Sequence, residues 1–157
     1  MGKINIYSSR TLKLTNVLIL QYKIENKDMD FSIAIEQMQS FIRTKGAIQV
    51  GPFIQYTNSC INENEELEMD IKLMLQCNTY IHNIEQPYKM ESILRIPNCM
   101  YCRYIGPEDK LNLAYDKLQI EAFENDIELK SASYVIFVDR NENDETIIAD
   151  VFMERAD

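Results

Sequence analysis

The feature that constrains this sequence most is a pair of similar segments that occur twice in the same order. Residues 16–22, NVLILQY, resemble residues 98–104, NCMYCRY. Residues 62–66, NENEE, resemble residues 141–145, NENDE. Self-similarity of this kind indicates that one supersecondary unit is repeated along the chain. The sequence therefore predicts two related halves.

Each half predicts the element order β-α-β-β. In the first half Asp30 caps a helix that Gly46 ends, and in the second Pro107, Glu108 and Asp109 form the first turn of a helix. Apolar residues at helical spacing are Phe31, Ala34, Ile35, Met38, Phe41 and Ile42 in the first helix, and Leu111, Ala114, Tyr115, Leu118 and Ala122 in the second. The predicted strands cover about 12–24, 48–57, 67–76, 92–104, 131–139 and 146–153.

This order predicts an α+β fold. A single β-α-β-β unit leaves a sheet edge and part of a face unprotected, whereas two units cover each other. We expect one domain over 1–157, with repeat one at about 4–78, a join at about 79–89 and repeat two at about 90–157. Two repeats related by a pseudo-twofold axis then form an antiparallel sheet with two helices and a ligand cleft between the halves.

The net charge of the chain limits the classes of partner that it is expected to bind. It carries 25 Asp and Glu against 16 Lys and Arg, a formal net charge of -9, whereas nucleic acid rewards clustered positive charge. No apolar run approaches the roughly 18 residues that a membrane span needs, and the N-terminal residues lack the apolar core of a secretory signal. We expect a cytoplasmic, acidic protein with no nucleic-acid or membrane partner.

Cysteine and histidine spacing predicts neither a metal site nor a cofactor. Only Cys99 and Cys102 form a C-x-x-C pair, and they lie in a predicted strand, where residues three apart point to opposite faces. The cysteines are therefore predicted to be buried thiols. His82 has no Cys or His partner at ligand spacing and is predicted to be a solvated loop residue. The chain also lacks G-x-S-x-G and a Gly-rich phosphate loop.

Aromatic and thioether side chains are far more numerous than catalytic groups. The chain holds nine Tyr, six Phe and eight Met. Aromatic rings attract organic cations, and flexible Met side chains let a site adapt to several shapes. This composition favours binding over turnover.

Several segments resemble the GyrI-like family. They are IPNCMYCRYIGP at residues 96–107, the helix that ends near Ala122, the closing hairpin at 151–153 and Gly51-Pro52 in the first half. Members are effector-binding domains found C-terminal to the DNA-binding helices of multidrug-sensing transcription activators, and also free-standing proteins. The resemblance implies the duplicated fold, a ligand site between the halves and a preference for bulky, flat, often cationic compounds. No helix-turn-helix precedes Ile4, so the stand-alone form is expected.

One position departs from the family pattern. Members that bind cationic drugs often carry a buried glutamate just after a tyrosine on the first strand following the second helix, whereas here Tyr134 is followed by Val135. A buried carboxylate attracts a cation strongly. Its replacement therefore weakens cation selectivity, or another carboxylate of the chain attracts the cation instead. Glu36 and Glu145 are the candidate substitutes, with solvated surface acids as the alternative reading.

The favoured function is that of a stand-alone protein that binds hydrophobic, aromatic, often cationic small molecules for sequestration or sensing. Tyr56, Tyr115 and Phe137 would supply ring contacts. The predicted walls of the site are Ile35, Pro52, Ile54, Met69, Leu111, Val135 and Ile147.

Two alternatives stay open. A hydrolase of reactive small molecules would use a pocket carboxylate and a tyrosine, and some relatives are implied to work in this way. A gyrase-inhibitor-like interaction module would use the acidic surface to hold a basic protein partner.

Overall fold

The computed structural model describes residues 4–24 and 31–157. These residues form six strands, two α-helices and one short 3-10 helix. In chain order they are β1 (Ile6–Ile24), α1 (Ser32–Thr44), β2 (Ile54–Ile61), β3 (Leu67–Gln76), β4 (Tyr88–Pro107), the 3-10 helix (Glu108–Lys110), α2 (Asn112–Glu124), β5 (Leu129–Asn141) and β6 (Thr146–Arg155). The α+β class predicted from the sequence is confirmed.

Backbone packing groups the described residues into two compact units. The first unit is Lys13–Leu94, and the second unit comprises the residues through Leu12 together with Arg95–Asp157. The division falls within β1 and within β4. The predicted halves, the pseudo-twofold axis and the cleft between them stay predictions.

The first unit places α1 over a three-stranded antiparallel sheet in the order β1-β3-β2. Leu18 on β1 lies opposite Leu75 on β3, and Ile54 on β2 lies opposite Met74. Alternation along β3 turns every second residue towards the helix. The buried core residues of this unit are Leu18, Leu20, Ala34, Met38, Ile42, Ala47, Ile71, Leu73, Leu75, Cys77 and Ile81.

The second unit places α2 over a three-stranded antiparallel sheet in the order β5-β6-β4. Cys102 joins its core while Cys99 is buried on the opposite face of β4, as expected for residues three apart in a strand. The buried core residues of this unit are Met100, Cys102, Tyr104, Ala114, Leu118, Ala122, Val135, Ile147, Ala149, Val151 and Met153.

Both helices end in the same backbone motif. After α1, Gly46 has φ +75°, and the next residue donates its N–H to the carbonyl of Ile42 at 3.1 Å. After α2, Asp126 has φ +56°, and the next residue donates to the carbonyl of Ala122 at 2.8 Å. This is the Schellman arrangement, which satisfies carbonyls at a helix end and needs one left-handed residue. Neither helix of the described residues is long and apolar enough to cross a membrane.

The boundaries of several predicted strands were wrong. β2 begins at Ile54 and not near 48, because Gly51 adopts φ +83° and Pro52 has no N–H to donate to a ladder. β1 begins at Ile6 and β4 at Tyr88, both earlier than predicted. In β1 the polar run Ser8-Ser9-Arg10-Thr11 gives no alternating signal.

The starts of the two helices also differ from the prediction. Glu108 and Asp109 lie in the 3-10 helix, and α2 itself begins at Asn112. The predicted cap Asp30 lies outside the described residues. The N-cap position of α1 is occupied by Phe31.

Replacing Gly46 with Ala is expected to lower the free energy of unfolding by about 1 kcal/mol, because a side chain with a Cβ is strained at positive φ. No atom lies within 4 Å of an added Cβ at this position, so the cost is conformational and not steric. Urea denaturation followed by circular dichroism measures the change. The matched variant Asp126→Gly removes the same strain from α2 and should raise stability. Equal midpoints for wild type and Gly46→Ala would show that the left-handed residue carries no cost.

Candidate functional site

Five of the predicted ligand-binding residues belong to the second unit, where they lie together around α2. Val135 and Ile147 are buried core residues, and the other three are partly buried and pack against that core. The five are Leu111, Tyr115, Val135, Phe137 and Ile147. Burial raises the pKa of the Tyr115 hydroxyl, and a hydrogen bond with Ser133 partly offsets the rise. On the helix side of the sheet these residues hold the unit together.

The other five predicted residues belong to the first unit. Ile35 and Met69 are partly buried against the core beneath α1, whereas Ile54 is fully buried on β2. Pro52 is half-buried in the segment before β2. Tyr56 is also half-buried, and the Nζ atom of Lys72 lies 4.8 Å from the centroid of its ring. A ligand site formed by both groups of five stays a prediction.

The two predicted acids are both exposed. Glu36 lies on the outer side of α1. Glu145 lies in the turn between β5 and β6 with φ +60°, and its carbonyl oxygen accepts the N–H of Glu108 at 3.3 Å. A solvated carboxylate attracts a cation only weakly, since water screens the charge.

The face of the second unit that points away from α2 carries a different set of side chains. Because alternate residues of a strand point to opposite faces, Tyr101 and Arg103 lie opposite the buried side of β4. The β4–β6 register places Tyr101 directly across from Phe152, and Arg103 across from Asp150. An aromatic pair and an ion pair therefore lie side by side on this face.

An open depression of about 440 Å³ lies on the same unit. The Tyr7 and Tyr101 rings are stacked, with their centroids 5.8 Å apart and an angle of 25° between their planes. The guanidinium carbon of Arg10 lies 4.2 Å from the Tyr7 centroid and 5.5 Å from the Tyr101 centroid. The lining residues are Asn5, Tyr7, Arg10, Tyr101, Arg103 and Ile105. We call this feature the aromatic depression.

Asp150 organises the polar side of the aromatic depression. Its Oδ1 accepts the Tyr101 hydroxyl at 2.8 Å and the Arg103 Nε–H at 2.8 Å, and its Oδ2 accepts an Nη2–H of Arg103 at 3.1 Å. The Asp150 side chain is 15% exposed, compared with 50% for Arg103. The two-pronged contact fixes both the guanidinium plane and the Tyr101 ring. On its other side, Tyr101 packs on Phe152, with the centroids 4.8 Å apart.

These contacts shift the ionisation of two groups. Burial, together with the hydrogen bond to the Asp150 carboxylate and its charge, raises the pKa of Tyr101 to about 12, although Arg103 acts in the opposite direction. The pKa of Arg103 is raised above its usual value by the hydrogen bond to Asp150 and by its charge. At neutral pH Tyr101 is therefore a neutral donor and Arg103 a permanent cation.

The remaining reactive groups offer little chemistry. No group of three His, Cys, Asp or Glu side chains within residues 4–24 and 31–157 is placed to hold a metal ion. All four cysteines are free thiols, and burial raises the pKa of Cys99 to about 11 and that of Cys102 to about 12. Cys99 and Cys102 therefore stay protonated at neutral pH and are poor nucleophiles. Cys60 is exposed, so the prediction of a buried thiol was wrong for this residue. His82 is exposed beside the Tyr80 ring, at a centroid distance of 5.0 Å.

Asp150 was not among the predicted site residues. Arg103 and Asp150 are 47 positions apart, and only the β4–β6 register brings them together. Tyr7 and Arg10 lie in a segment that gave no strand signal. The one usable sequence cue was the alternation that sets Tyr101 and Arg103 on one side of β4.

The comparisons with known proteins identify the fold. No family model and no curated protein matches the sequence. The EcmrR chain in a cryo-EM structure of an EcmrR–DNA complex in EcmrR-RPo matches with a TM-score of 0.70 and 16% identity over 98% of this chain. This fold agrees with the sequence resemblance to the GyrI-like domains. The chain spans 58% of the length of that EcmrR chain.

A second similar structure is that of SAV2435 bound to tetraphenylphosphonium. It matches with a TM-score of 0.46 and 8% identity, over 95% of this chain and 94% of that one. A TM-score below 0.5 does not establish a common fold.

Replacing Asp150 with Asn should lower the pKa of Tyr101 from about 12. The substitution removes a negative charge that disfavours the tyrosinate and leaves the positive charge of Arg103 beside it. The matched variant Arg103→Gln should move the pKa in the opposite direction. A pH titration of ring-labelled tyrosine followed by NMR measures both shifts. An unchanged value in Asp150→Asn would mean that the carboxylate does not set this ionisation.

Proposed function

We propose that this chain is a small-molecule-binding effector domain that takes up hydrophobic, aromatic compounds, cationic ones included, for sensing or sequestration. The observation that carries the proposal is the aromatic depression, where Tyr7 and Tyr101 present stacked rings beside an open space of about 440 Å³. Pockets for small organic molecules fall in the range of roughly 300–1,000 Å³. The volume suits one flat compound of a few fused rings.

The support for the rings is rigid, which favours binding. Tyr101 is held on one side by Phe152 and at its hydroxyl by Asp150. A ring that is already fixed loses little conformational entropy when a flat molecule stacks on it. Each aromatic pair contributes about 0.5–1.5 kcal/mol beyond the burial of area. We expect dissociation constants in the micromolar region, equivalent to about -8 kcal/mol.

The compartment is also part of the proposal. Cys60, Cys77, Cys99 and Cys102 are all free thiols. Proteins in oxidising compartments commonly pair their cysteines, whereas cytoplasmic thiols stay reduced. A cytoplasmic location fits these residues.

The two alternatives receive less support from the geometry. A hydrolase needs a carboxylate free to take a proton, whereas both Asp150 oxygens accept hydrogen bonds from Arg103. Its neighbour Tyr101, with a pKa of about 12, is a weak acid at neutral pH. An interaction module for a basic protein rests only on the net charge of -9, which also keeps a protein in solution.

Binding of flat dyes tests the proposed function. Rhodamine-like and ethidium-like cations and an uncharged acridone would be titrated while dye fluorescence and the melting temperature are followed. We expect micromolar binding of at least one dye. In Tyr101→Leu, binding of that dye should weaken by roughly 3- to 10-fold because one ring contact is lost.

Two control variants accompany the titration. Tyr80→Leu removes a tyrosine that does not line the aromatic depression and should leave binding unchanged. Tyr101→Phe keeps the ring and should retain most of the binding. If no dye changes fluorescence or melting, the proposal is wrong. It is equally wrong if Tyr101→Leu and Tyr80→Leu behave alike.

A further inference from the structure

The charges around the aromatic depression indicate which class of ligand it prefers. We propose that this site selects flat aromatic anions, such as a fused ring that carries a carboxylate, over cations of the same shape. The inference rests on the proposed function, because it names the ligand class of the same site. It departs from the preference for cations that the family resemblance implies.

The charged side chains that line the aromatic depression are mostly positive. Two guanidinium groups, Arg10 and Arg103, line the depression, and among the described residues the Asp150 carboxylate pairs with Arg103. Glu154 lies two strand positions beyond Phe152, but its carboxylate pairs with Lys130 at 3.0 Å. One positive charge therefore remains in the depression. It remains although the chain as a whole carries -9.

Arg10 has hydrogen-bond donors that a ligand can use. Its guanidinium carbon lies over the Tyr7 ring at 4.2 Å and over the Tyr101 ring at 5.5 Å. The N–H bonds lie in the guanidinium plane and stay available, since none of the described residues forms a hydrogen bond or an ion pair with Arg10. Planar N–H donors of this kind match the two oxygens of a carboxylate.

Arg103 also keeps some of its hydrogen-bond donors for a ligand. A guanidinium carries five N–H donors, and Asp150 engages its Nε and one Nη2 donor. The Arg103 side chain is 50% exposed, so its remaining donors are accessible from solvent. Asp150 therefore holds Arg103 in a fixed orientation and leaves part of its donor set for a ligand.

A cation is disfavoured in the aromatic depression. A cation needs an accessible carboxylate or an unoccupied ring face. Asp150 already has Arg103 as its counter-ion, and the positive charge of Arg10 lies 4.2 Å from the Tyr7 centroid, where it repels a second cation. Both predicted acids, Glu36 and Glu145, are solvated and do not line the depression. Ile105, which is 60% exposed, supplies an apolar wall for the ring of the ligand.

Three naphthalene probes of equal size test the charge preference. They are 2-naphthoate, uncharged 2-naphthamide and 2-naphthylmethylammonium. Isothermal titration or the change in probe fluorescence gives each dissociation constant for the full chain. We expect the anion to bind at least about 10-fold more tightly than the cation, as charge-assisted hydrogen bonds predict. Added salt should weaken binding of the anion.

Arg10→Gln locates the effect. It should weaken binding of 2-naphthoate by roughly 10-fold and leave 2-naphthamide nearly unchanged. Arg95→Gln is the matched control, because it removes one exposed positive charge that does not line the depression. It should change neither constant.

The outcomes separate the two proposals. If none of the three probes binds, the proposed function fails as well. If the amide or the ammonium binds as well as the anion, the aromatic site stands and the charge preference is wrong. The preference is also wrong if Arg10→Gln and Arg95→Gln affect the anion equally.

Discussion

The alternation of side chains along β4 and β6 is the constraint on which the second unit depends. One face of this sheet packs against α2 and supplies the core, and the other face carries the aromatic and charged residues. A slip of one residue in the register would exchange the two faces. Tyr101 and Arg103 would then enter the core beneath α2, and Met100 and Cys102 would meet solvent. The stability of the core and the position of the aromatic depression are thus set by the same pairing.

Within that frame, Asp150 sets the chemistry of the exposed face. It accepts hydrogen bonds from Tyr101 and Arg103, so the ring is fixed and the guanidinium is oriented. Together with burial, the same carboxylate raises the pKa of Tyr101. Asp150 is paired with Arg103, and the described residues place no carboxylate on Arg10, so one positive charge remains. The proposals of stacking and of a charge preference both rest on this arrangement.

The fold was largely predictable because its signals are local. The apolar spacing of Ala34, Met38 and Ile42 predicted α1, and Gly46 marked its end. The strand predicted over about 67–76 is confirmed as β3. The start of β2 was wrong because Gly51 and Pro52 interrupt an apolar run that otherwise suits a strand.

The aromatic depression was not predictable in the same way. It depends on pairing between strands that are distant in sequence, and the 47 positions between Arg103 and Asp150 contain no sign that they meet. Tyr7 belongs to a largely polar segment at the start of β1 that gave no strand signal. Two acids were proposed for the site from their positions, Glu36 and Glu145, and both are solvated.

The most direct test of the central claim is an NMR measurement of intermolecular contacts between the uncharged probe and the protein. With side-chain labelling, the account predicts nuclear Overhauser effects from the naphthalene protons to the rings of Tyr7 and Tyr101 and to the methyl groups of Ile105. Contacts to any other part of the chain, with none to these three side chains, would contradict it.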